Sequence, residues 1–404
     1  MTIGIIGGGA AGMAAALAAS EYETVQVVLM ERQARLGRKL SATGNGRCNL
    51  SNIHALQGGY HGDEPSFSEF AISTFPPEET LEWFADLGLY TVTEPSGKVY
   101  PYSDQANSVV DVLRFALDRE NIEVLTDFEV MKVRKNGEIF EVTGKDRTVR
   151  CEKLIIACGG LAGTKLGGSM SGYKLLRGFG HKCTKLRPAL VQVKTGWSGV
   201  SALKGVRANC HAAIYHDGKL HRESVGEIQF TEFGLSGPVI YEISRDACQG
   251  PGDWECRLDF LPEVPKEKLR RMLMQRQNSN LTAEDLFTGI LHNRLGRVLT
   301  KEAGIRGNAG ICSITREQFE EANLLAKDFR VSLTEPLGMD AAQVTAGGIE
   351  TREFDNTTME SRLVPGLFAC GEVLDVDGDC GGYNLQWAWS SGRLAGRSAG
   401  KEAL

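Results

Sequence analysis

Apolar residues at the start of the chain come in short blocks and not at regular helical spacing. Ile3–Ile6 and Val25–Met30 are compact apolar runs, which is typical of strands buried in a parallel sheet. Between them lie the glycine-rich stretch Gly7–Gly12 and the alanine-rich stretch Met13–Ser20. The pattern therefore predicts a strand, a glycine turn, a helix and a second strand.

Helical spacing and then alternation follow this unit. Residues 65–90 carry Leu81, Phe84 and Leu87 at helical spacing, and residues 107–120 form a second amphipathic pattern. Strands are predicted next at Ile122–Leu125, Glu129–Lys135, Ile139–Thr143, Thr148–Lys153 and in the buried run that ends at Gly159-Gly160. A glycine-rich loop then leads to a helix predicted near Tyr173–Phe179.

The pattern changes near Val191 to strands that alternate like those of a barrel or sandwich. These strands are predicted at Val191–Val193, Ala208–Tyr215, Lys219–Val225 and Glu227–Thr231, with a returning strand at Asp328–Leu333. Helices are predicted at Val239–Arg245, Lys266–Arg276 and Thr282–Leu299, and Thr282 with Asp285 has the spacing of a capping box. The inserted region thus has the pattern of a small β domain that carries a small helical unit.

The first unit suits an ADP group. Gly7 would permit the tight turn, Gly9 would let backbone approach a pyrophosphate, and Gly12 would let the helix pack close to the sheet. The helix N-terminus offers N–H groups to phosphates. Glu31 follows Gly12 by 19 positions, where a carboxylate would accept hydrogen bonds from ribose hydroxyls. The alternative is an ordinary glycine-rich turn with an incidental glutamate.

The C-terminal residues return to the nucleotide-binding pattern. Gln343–Ile349 and Leu363–Glu372 are strand-like, and a helix is predicted from Gln386 to about Ala399. A strand that ends in a glycine and an acid before a loop and helix suits FAD, since the acid can bind ribitol and the helix N-terminus can face the flavin C2 carbonyl. An unrelated βα turn is the alternative, but two such units in one chain favour FAD over NAD alone.

Composition limits the class of protein. A chain of 404 residues suggests two or three domains, and the net charge of −6 argues against non-specific nucleic-acid binding. No apolar run approaches the roughly 20 residues needed to span a bilayer. Ten cysteines lie outside any CxxC pair, and the histidines show no metal-ligand spacing. Without a basic segment before the first strand, we expect a cytoplasmic protein with reduced thiols, no membrane partner and no metal.

Several longer motifs resemble one family, the predicted flavoproteins of bacteria, which includes aminoacetone oxidases and bile-acid-pathway reductases. The motifs are Gly37–Leu40, Gly44–Asn52, Phe230–Pro238, Val344–Gly348 and Gly371–Trp387. The resemblance implies an α/β protein with a Rossmann-type two-dinucleotide-binding flavoprotein fold, an inserted β-barrel and a small helical domain. The FAD-binding domain would be residues 1–190 and 334–404, the barrel 191–250 and 310–333, and the helical domain 251–309. Cys158 and Ser171 depart from the family pattern.

The motifs and the resemblance together imply a set of candidate residues around FAD. Tyr383 and Arg47 are the acid–base candidates, because no histidine lies in these loops, and Cys158 is a minor candidate for a nucleophile. Val130 would contact adenine through its backbone. The full cofactor set is Gly7, Gly9, Ala11, Gly12, Glu31, Arg32, Lys39, Gly46, Arg47, Cys48, Asn49, Val130, Ala157, Gly159, Gly160, Gly371, Glu372, Asp375, Gly381, Gly382, Tyr383, Asn384 and Leu385.

The function expected from this set is an FAD-dependent oxidoreductase. The first hypothesis is NAD(P)H-linked reduction of an activated C=C bond in a small apolar substrate, such as a steroid or bile-acid intermediate, with NADH or NADPH bound transiently. The second is an aminoacetone-type amine oxidase that uses O₂. A third is a flavin-containing RNA-associated protein, which the acidic net charge disfavours. A flavin-binding protein without rapid catalysis is the remaining alternative.

Overall fold

The computed structural model describes residues 1–401, whose contacts fall into two compact units. The first unit combines residues 1–187 with the residues from Gln343 onward, and the second is Pro188–Ala342. The sequence placed these boundaries at 190/191 and 333/334. A separate helical domain at 251–309 stays a prediction, since those residues lie inside the second unit.

Residues 1–187 begin with the predicted strand–turn–helix–strand unit. The strands are β1 (Thr2–Ile6), β2 (Gln26–Met30), β3 (Ser51–Asn52), β4 (Tyr60–His61), β5 (Thr91–Thr93), β6 (Lys98–Pro101), β7 (Ile122–Leu125), β8 (Lys132–Asn136), β9 (Ile139–Thr143), β10 (Thr148–Cys151) and β11 (Lys153–Ile156). The helices are α1 (Ala10–Ala19), α2 (Phe67–Thr74), α3 (Pro77–Asp86), α4 (Ala106–Ala116) and α5 (Ser171–Gly178).

The rest of the chain starts with β12 (Arg187–Ala189) at the junction of the units. The second unit holds β13 (Val193–Thr195), β14 (Arg207–His216), β15 (Lys219–Phe230), β16 (Gly234–Ser236), α6 (Pro238–Ser244), β17 (Trp254–Asp259), α7 (Lys266–Gln275), α8 (Asn293–Glu302), α9 (Arg316–Lys327) and β18 (Phe329–Pro336). The first unit resumes with β19 (Val344–Ala346), β20 (Leu367–Ala369), β21 (Asp377–Gly378) and α10 (Tyr383–Lys401).

The core of the first unit is a parallel sheet with the strand order β20-β11-β1-β2-β7. Ile3 and Ile5 on the central strand are fully buried, as expected for a strand with neighbours on both edges and both faces. The outer strand β20 comes from the C-terminal part of the chain. Both ends of the chain therefore build one sheet, which confirms the Rossmann-type class.

Helices α1 and α10 pack with their backbones in contact. A Cβ atom built on Gly392 would lie 2.4 Å from the carbonyl oxygen of Ala11, and one on Gly396 would lie 2.2 Å from that of Ala15. Only glycine fits at either position. The close approach of α10 holds the start of α1 against the C-terminal part of the chain.

The second unit contains a closed barrel with the strand order β13-β16-β15-β14-β17-β18. Strand β18 pairs with both β13 and β17, which closes the ring. Buried side chains such as Ile214, Phe230 and Cys256 alternate with outward-facing residues along the strands. The barrel confirms one of the two β architectures that the alternation predicted.

Four local predictions were wrong. Lys219–Val225 and Glu227–Thr231 belong to one continuous strand, β15. The helix predicted over Thr282–Leu299 is a short turn followed by α8, because Gly289 adopts φ +77° and interrupts it. Thr282 donates to the Asp285 side chain and caps nothing, whereas the actual capping box, Thr315 with Gln318, opens the unpredicted helix α9. Finally, α10 begins at Tyr383, three residues before Gln386.

Candidate active site

Three glycines of the turn after β1 occupy different environments. Gly7 adopts φ +114°, and a Cβ there would lie 2.4 Å from the Ala157 carbonyl oxygen. A Cβ on Gly12 would lie 1.8 Å from the Gly7 carbonyl oxygen. A Cβ on Gly9 would meet no atom within 4 Å. Gly9 therefore leaves an open position at the N-terminus of α1, which fits a pyrophosphate.

The first turn of α1 presents backbone groups and no side chain to this opening. Gly9 is the N-cap residue and makes no side-chain cap, so the first N–H groups of the helix lack intrahelical acceptors. Ala11 and Gly12 were expected to face the phosphates, but the Ala11 methyl group contacts Gly371 and Gly12 packs on Gly7. Their side of the turn faces protein, and only their N–H groups are available to a ligand.

Glu31 lies at the end of β2, beside the glycine turn. One carboxylate oxygen accepts from the Gly8 N–H at 2.7 Å and the other from the Gln33 N–H at 2.8 Å. Each oxygen keeps a second lone pair for another donor. Phe128 donates its N–H to the Glu31 carbonyl at 2.9 Å, which brings the half-buried Val130 segment to the same strand end.

The charged candidates next to this turn have partners within the protein. Arg32 donates to the Gly167 carbonyl at 2.5 Å. Lys39 pairs with Glu372 at 2.8 Å, and Glu372 also accepts from the Thr345 N–H at 2.9 Å. These contacts connect different loops of the chain. Lys39 and Glu372 would therefore contact a ligand as an ion pair and not as separate charges.

Small residues around Glu372 complete this wall of the site. A Cβ on Gly160 would lie 2.4 Å from Glu372 Oε1, whereas Gly159 has open space and φ +68°. Ala157 is buried and donates its N–H to the Ile6 carbonyl at 2.8 Å. Asp375 is buried and accepts from the Asp63 N–H at 3.2 Å.

Arg47 is held by two carboxylates over an aromatic ring. Its guanidinium binds Asp104 at 2.5 Å and Glu94 at 3.4 Å and lies 4.1 Å from the centre of the Tyr100 ring. The hydrogen bond to Asp104 raises the pKa of Arg47 further above neutrality. These contacts argue against Arg47 as a proton donor.

The residues next to Arg47 in the same loop determine the backbone conformation of the loop. Gly46 has open space and φ +87°. Cys48 is fully buried at φ +60°, and burial raises the pKa of its thiol to about 12. In the amide orientation that satisfies its hydrogen bonds, Asn49 donates to the Ser51 carbonyl at 3.0 Å. None of these three side chains offers a charge to a ligand.

The 378–385 loop is fixed before it enters α10. Asn384 exchanges two hydrogen bonds of 2.8 Å with the backbone of Gly378. Gly381 and Gly382 adopt φ +116° and +104°. A Cβ on Gly382 would lie 2.2 Å from the Ser51 carbonyl oxygen. Asn384 was expected to contact the flavin, but its amide holds the loop.

Tyr383 and Leu385 lie on the first turn of α10. The Tyr383 ring meets Tyr60 edge to face at 5.9 Å between ring centres, and the Leu385 side chain is half-buried. Gln386 donates its N–H to the Gly382 carbonyl at 3.0 Å, so the earlier N–H groups of the turn lie at the half-buried helix start without intrahelical acceptors. This helix start fits the flavin C2 carbonyl that the sequence assigned to it.

Sequence reasoning missed a histidine at this loop. His61 Nε2 lies 2.7 Å from Asp379 Oδ1. The contact exists because β4 pairs antiparallel with β21, which places His61 opposite Asp377. A pairing between two strands of two residues each, Tyr60-His61 and Asp377-Gly378, cannot be predicted from the sequence. The only signal for a functional site is the position of His61 beside aromatic and glycine residues.

Cys158 does not have the environment of a nucleophile. Burial raises the pKa of its thiol to about 12, and Sγ lies 3.5 Å from the Ile6 carbonyl oxygen. Such a thiol is protonated near neutral pH. Within residues 1–401, no group of three or more His, Cys, Asp or Glu side chains is placed to hold a metal ion. Over the same residues, no helix is long and apolar enough to cross a membrane.

Comparisons with known proteins extend over the whole chain. Residues 1–398 match the family model described as HI0933-like protein Rossmann domain. The chain is 38% identical to a 3-dehydro-bile acid delta(4,6)-reductase of Clostridium scindens, over 98% of both chains. It is 33% identical to a ribosomal RNA dihydrouridine synthase of Escherichia coli, over 96% of this chain and 95% of the relative.

A solved structure supports the fold. The 3-ketosteroid delta1-dehydrogenase of Sterolibacterium denitrificans aligns with 99% of this chain and 100% of its own, with a TM-score of 0.52 at 12% identity. Fold, site and relatives together define an FAD-dependent oxidoreductase of the Rossmann type. The chain belongs to the HI0933-like family, which is the family that its motifs resembled.

Proposed function

We propose that this protein is an NAD(P)H-linked reductase of C=C bonds conjugated to a carbonyl group. The observation that carries the proposal is the 38% identity, over 98% of both chains, to a bile-acid reductase. A 3-oxo group next to a delta-4 double bond makes that bond electron-poor, and this is the substrate chemistry that we transfer to this chain. A steroid or bile-acid intermediate is the first substrate class.

Each group of residues around the proposed FAD site has a role in binding one part of the cofactor. Bound FAD supplies two-electron redox chemistry. The open position at Gly9 and the N–H groups of α1 bind the pyrophosphate, and Glu31 accepts from the ribose hydroxyls. The Lys39–Glu372 pair, Asp375 and the glycines at 159 and 160 border the ribitol, while Gly46, Arg47, Asn49 and the start of α10 border the flavin ring.

Product analysis tests the proposed reaction. Purified holoenzyme is incubated without oxygen with a steroid 3-oxo-4,6-diene and either NADH or NADPH. We expect a product that has gained two hydrogen atoms, with stoichiometric oxidation of one nicotinamide. An enzyme that binds FAD but leaves the diene unchanged with both nicotinamides contradicts the proposal. Oxidation of a primary amine with release of peroxide instead favours the oxidase alternative.

Uridine in RNA is the second candidate substrate. Its C5=C6 bond is also conjugated to a carbonyl, and two relatives, at 33% and 28% identity, are named ribosomal RNA dihydrouridine synthases. A specific feature favours it, because the segment from Lys266 to Arg306 holds nine Lys or Arg and four Asp or Glu in a chain of net charge −6. Exposed Lys301 and Arg306 border a cleft of about 630 Å³ in the second unit.

Charge reversal tests this candidate. The double variant Lys301→Glu/Arg306→Glu should weaken binding of ribosomal RNA at least about tenfold and reduce its salt dependence, since phosphate contacts release counterions. Lys132→Glu, at an exposed position on β8, is the matched control and should bind as the wild type does. RNA binding that is absent in the wild type, or equal in all three proteins, contradicts a role for this segment.

A further inference from the structure

The His61–Asp379 pair lies next to the loop that carries Tyr383. His61 Nε2 lies 2.7 Å from Asp379 Oδ1, and the two side chains are 25% and 27% exposed. The pair is therefore partly buried. No part of the FAD site described above uses it.

Backbone contacts fix the position of Asp379. Its N–H donates to the Gly59 carbonyl at 2.9 Å. The preceding residue, Gly378, is fixed by the two hydrogen bonds of 2.8 Å that its backbone exchanges with Asn384, and by the β4–β21 pairing. A carboxylate held from both sides orients the imidazole ring that binds to it.

Gly59 allows Tyr383 and Asp379 to approach each other closely, because it has no side chain between them. Gly59 adopts φ +86°, and a Cβ there would lie 2.7 Å from Tyr383 Cε1 and 3.1 Å from Asp379 Oδ2. The tyrosine ring and the carboxylate thus approach the same point. Because the N-terminus of α10 begins at Tyr383, the pair lies beside the part of the site that we assign to the flavin ring.

The arrangement suits a proton donor. Because a carboxylate only accepts hydrogen bonds, we assign the Nε2 proton to the contact with Asp379. Nδ1 is then the second site of the ring, and it carries a proton when the imidazole is cationic. Arg47, the other basic candidate nearby, is held by Asp104 and Glu94 and keeps its proton. An imidazole gives up and regains a proton more readily than a guanidinium, so His61 is better suited than Arg47 to act as the proton donor.

We infer that His61, oriented by Asp379, protonates the substrate in the proposed reduction. The C=C π bond breaks, the β carbon gains a hydride equivalent that originates in NAD(P)H, and the α carbon gains a proton from Nδ1 of the imidazolium. NAD(P)H becomes NAD(P)⁺, and solvent returns the proton to His61. The inference rests on the proposed function, and within it Asp379 is a positioning residue.

Separate half-reactions test the inference with holoenzyme. The variants are His61→Gln and Asp379→Ala, and His54→Gln is the matched control at an exposed histidine of the same segment. Flavin reduction by the nicotinamide should be equal in all proteins. Reoxidation of the reduced flavin by the steroid dienone should slow by about 10²–10⁴-fold in His61→Gln, as for loss of a general acid, and stay unchanged in His54→Gln.

A readout independent of turnover is the tautomer of His61, measured by ¹⁵N NMR of the full chain without FAD. We expect the Nε2–H tautomer in the wild type and a mixture in Asp379→Ala, whose side chain cannot accept the hydrogen bond. The Nδ1–H tautomer in the wild type overturns the inference. If His61→Gln fails to retain FAD, the kinetic test is made with Asp379→Ala instead. We expect the dienone to reoxidise the flavin of Asp379→Ala more slowly than that of the wild type, and an unchanged reoxidation rate would contradict the inference.

The outcomes separate this inference from the proposed function. A wild-type enzyme that the dienone reoxidises, together with an equally fast His61→Gln variant, overturns the role of His61 alone. A wild-type enzyme that accepts electrons from NAD(P)H but that the dienone does not reoxidise contradicts the proposed function, and this inference with it.

Discussion

In the glycine turn after β1, one glycine leaves room for a ligand and another is needed for packing. Gly12 is enclosed, with its Cβ position 1.8 Å from the Gly7 carbonyl oxygen, whereas Gly9 faces open space. The two positions are three residues apart in the same turn, so substitutions there can separate loss of cofactor from loss of fold.

Gly9→Glu should fold but bind no FAD. The side chain enters open space, so we expect the free energy of unfolding of the FAD-free protein to change by less than about 0.5 kcal/mol, while bulk and negative charge occupy the pyrophosphate position. Gly12→Ala should instead destabilise the protein by about 1–3 kcal/mol through overpacking. Denaturant unfolding and the flavin absorbance of the purified proteins measure both effects.

A fully flavinated Gly9→Glu protein would refute the pyrophosphate assignment. A Gly12→Ala protein as stable as the wild type would mean that the helix can move away from the turn, and that the enclosed geometry is not required.

Cys158→Ser should retain FAD and turnover within a few-fold of the wild type. Burial raises the pKa of the Cys158 thiol to about 12, so no thiolate is available as a nucleophile at neutral pH. Serine keeps the size of the side chain. Flavin content and steady-state rates measure the effect, and a loss of more than about a hundredfold, as for removal of an acid–base or nucleophilic group, would restore Cys158 as a catalytic candidate.

At the residue scale, the sequence predicts roles that depend on local geometry. The distinct environments of Gly7, Gly9 and Gly12 follow from their spacing around one turn. The partners of Lys39, Arg47 and Asn384 cannot be predicted in this way. The tertiary fold brings each side chain to its partner, which is Glu372, Asp104 or Gly378, respectively. His61 was missed for the same reason, because its partner Asp379 is 318 positions away.

Among the elements, the contact of α1 with α10 depends most strictly on residue size. Gly396→Val should destabilise the protein by about 1–3 kcal/mol or more, because a Cβ at Gly396 would lie 2.2 Å from the Ala15 carbonyl oxygen. Gly178→Ala is the control, since a Cβ at this helical glycine of α5 meets no atom within 4 Å. We expect it to be neutral or stabilising by up to about 1 kcal/mol.

Equal unfolding free energies for the two variants, measured by urea denaturation, would contradict the close helix contact. A destabilised Gly178→Ala protein would point instead to a general intolerance of substitution at helical glycines.

Element prediction succeeded where one face or one turn decides the structure. The apolar runs of β1 and β2 predict buried strands, and the alternation along β14 predicts a strand of a barrel or sandwich. The prediction failed over 282–299, where apolar residues keep helical spacing but Gly289 adopts a left-handed conformation. The capping box of α9 was present in the sequence as Thr315 with Gln318 and could have been found.

For the whole molecule, a buried histidine links folding stability to pH. His181 hydrogen-bonds Glu353 at 2.9 Å and Ser361 at 3.0 Å and stacks on Phe354. Burial lowers the pKa of His181 below its ordinary value of 6.5, and this effect exceeds the opposing effect of the hydrogen bond to Glu353. The folded state therefore holds this imidazole neutral where the unfolded state is protonated.

Stability should fall as the pH drops through about 6.5 towards the folded-state pKa, since the unfolded state then binds more protons. The slope reaches at most about 1.4 kcal/mol per pH unit for one group. His181→Gln should have a shallower slope between about pH 7 and about pH 5, the range in which an ordinary histidine titrates, whatever its absolute stability. Urea unfolding at several pH values measures the slope, and an identical slope in both proteins would contradict this role.

At this scale the class of protein was predictable and the substrate was not. The two nucleotide-binding motifs come from opposite ends of the chain, which meet in one sheet, and this pairing favoured FAD over NAD alone. Substrate choice depends on the surfaces around the flavin and on the distribution of charge. The net charge of −6 does not reveal that the segment 266–306 is basic. The expectation that nucleic acid is not a partner therefore stays a prediction.

Anaerobic flavin spectroscopy tests the central claim most directly. The purified protein is mixed with NADH or NADPH, and the flavin absorbance is followed until a steroid dienone is added. We predict bleaching by one of the nicotinamides and recovery of the oxidised spectrum on addition of the dienone, without oxygen. A flavin that neither nicotinamide reduces, or that the dienone cannot reoxidise, would contradict the assignment as a steroid-type C=C reductase.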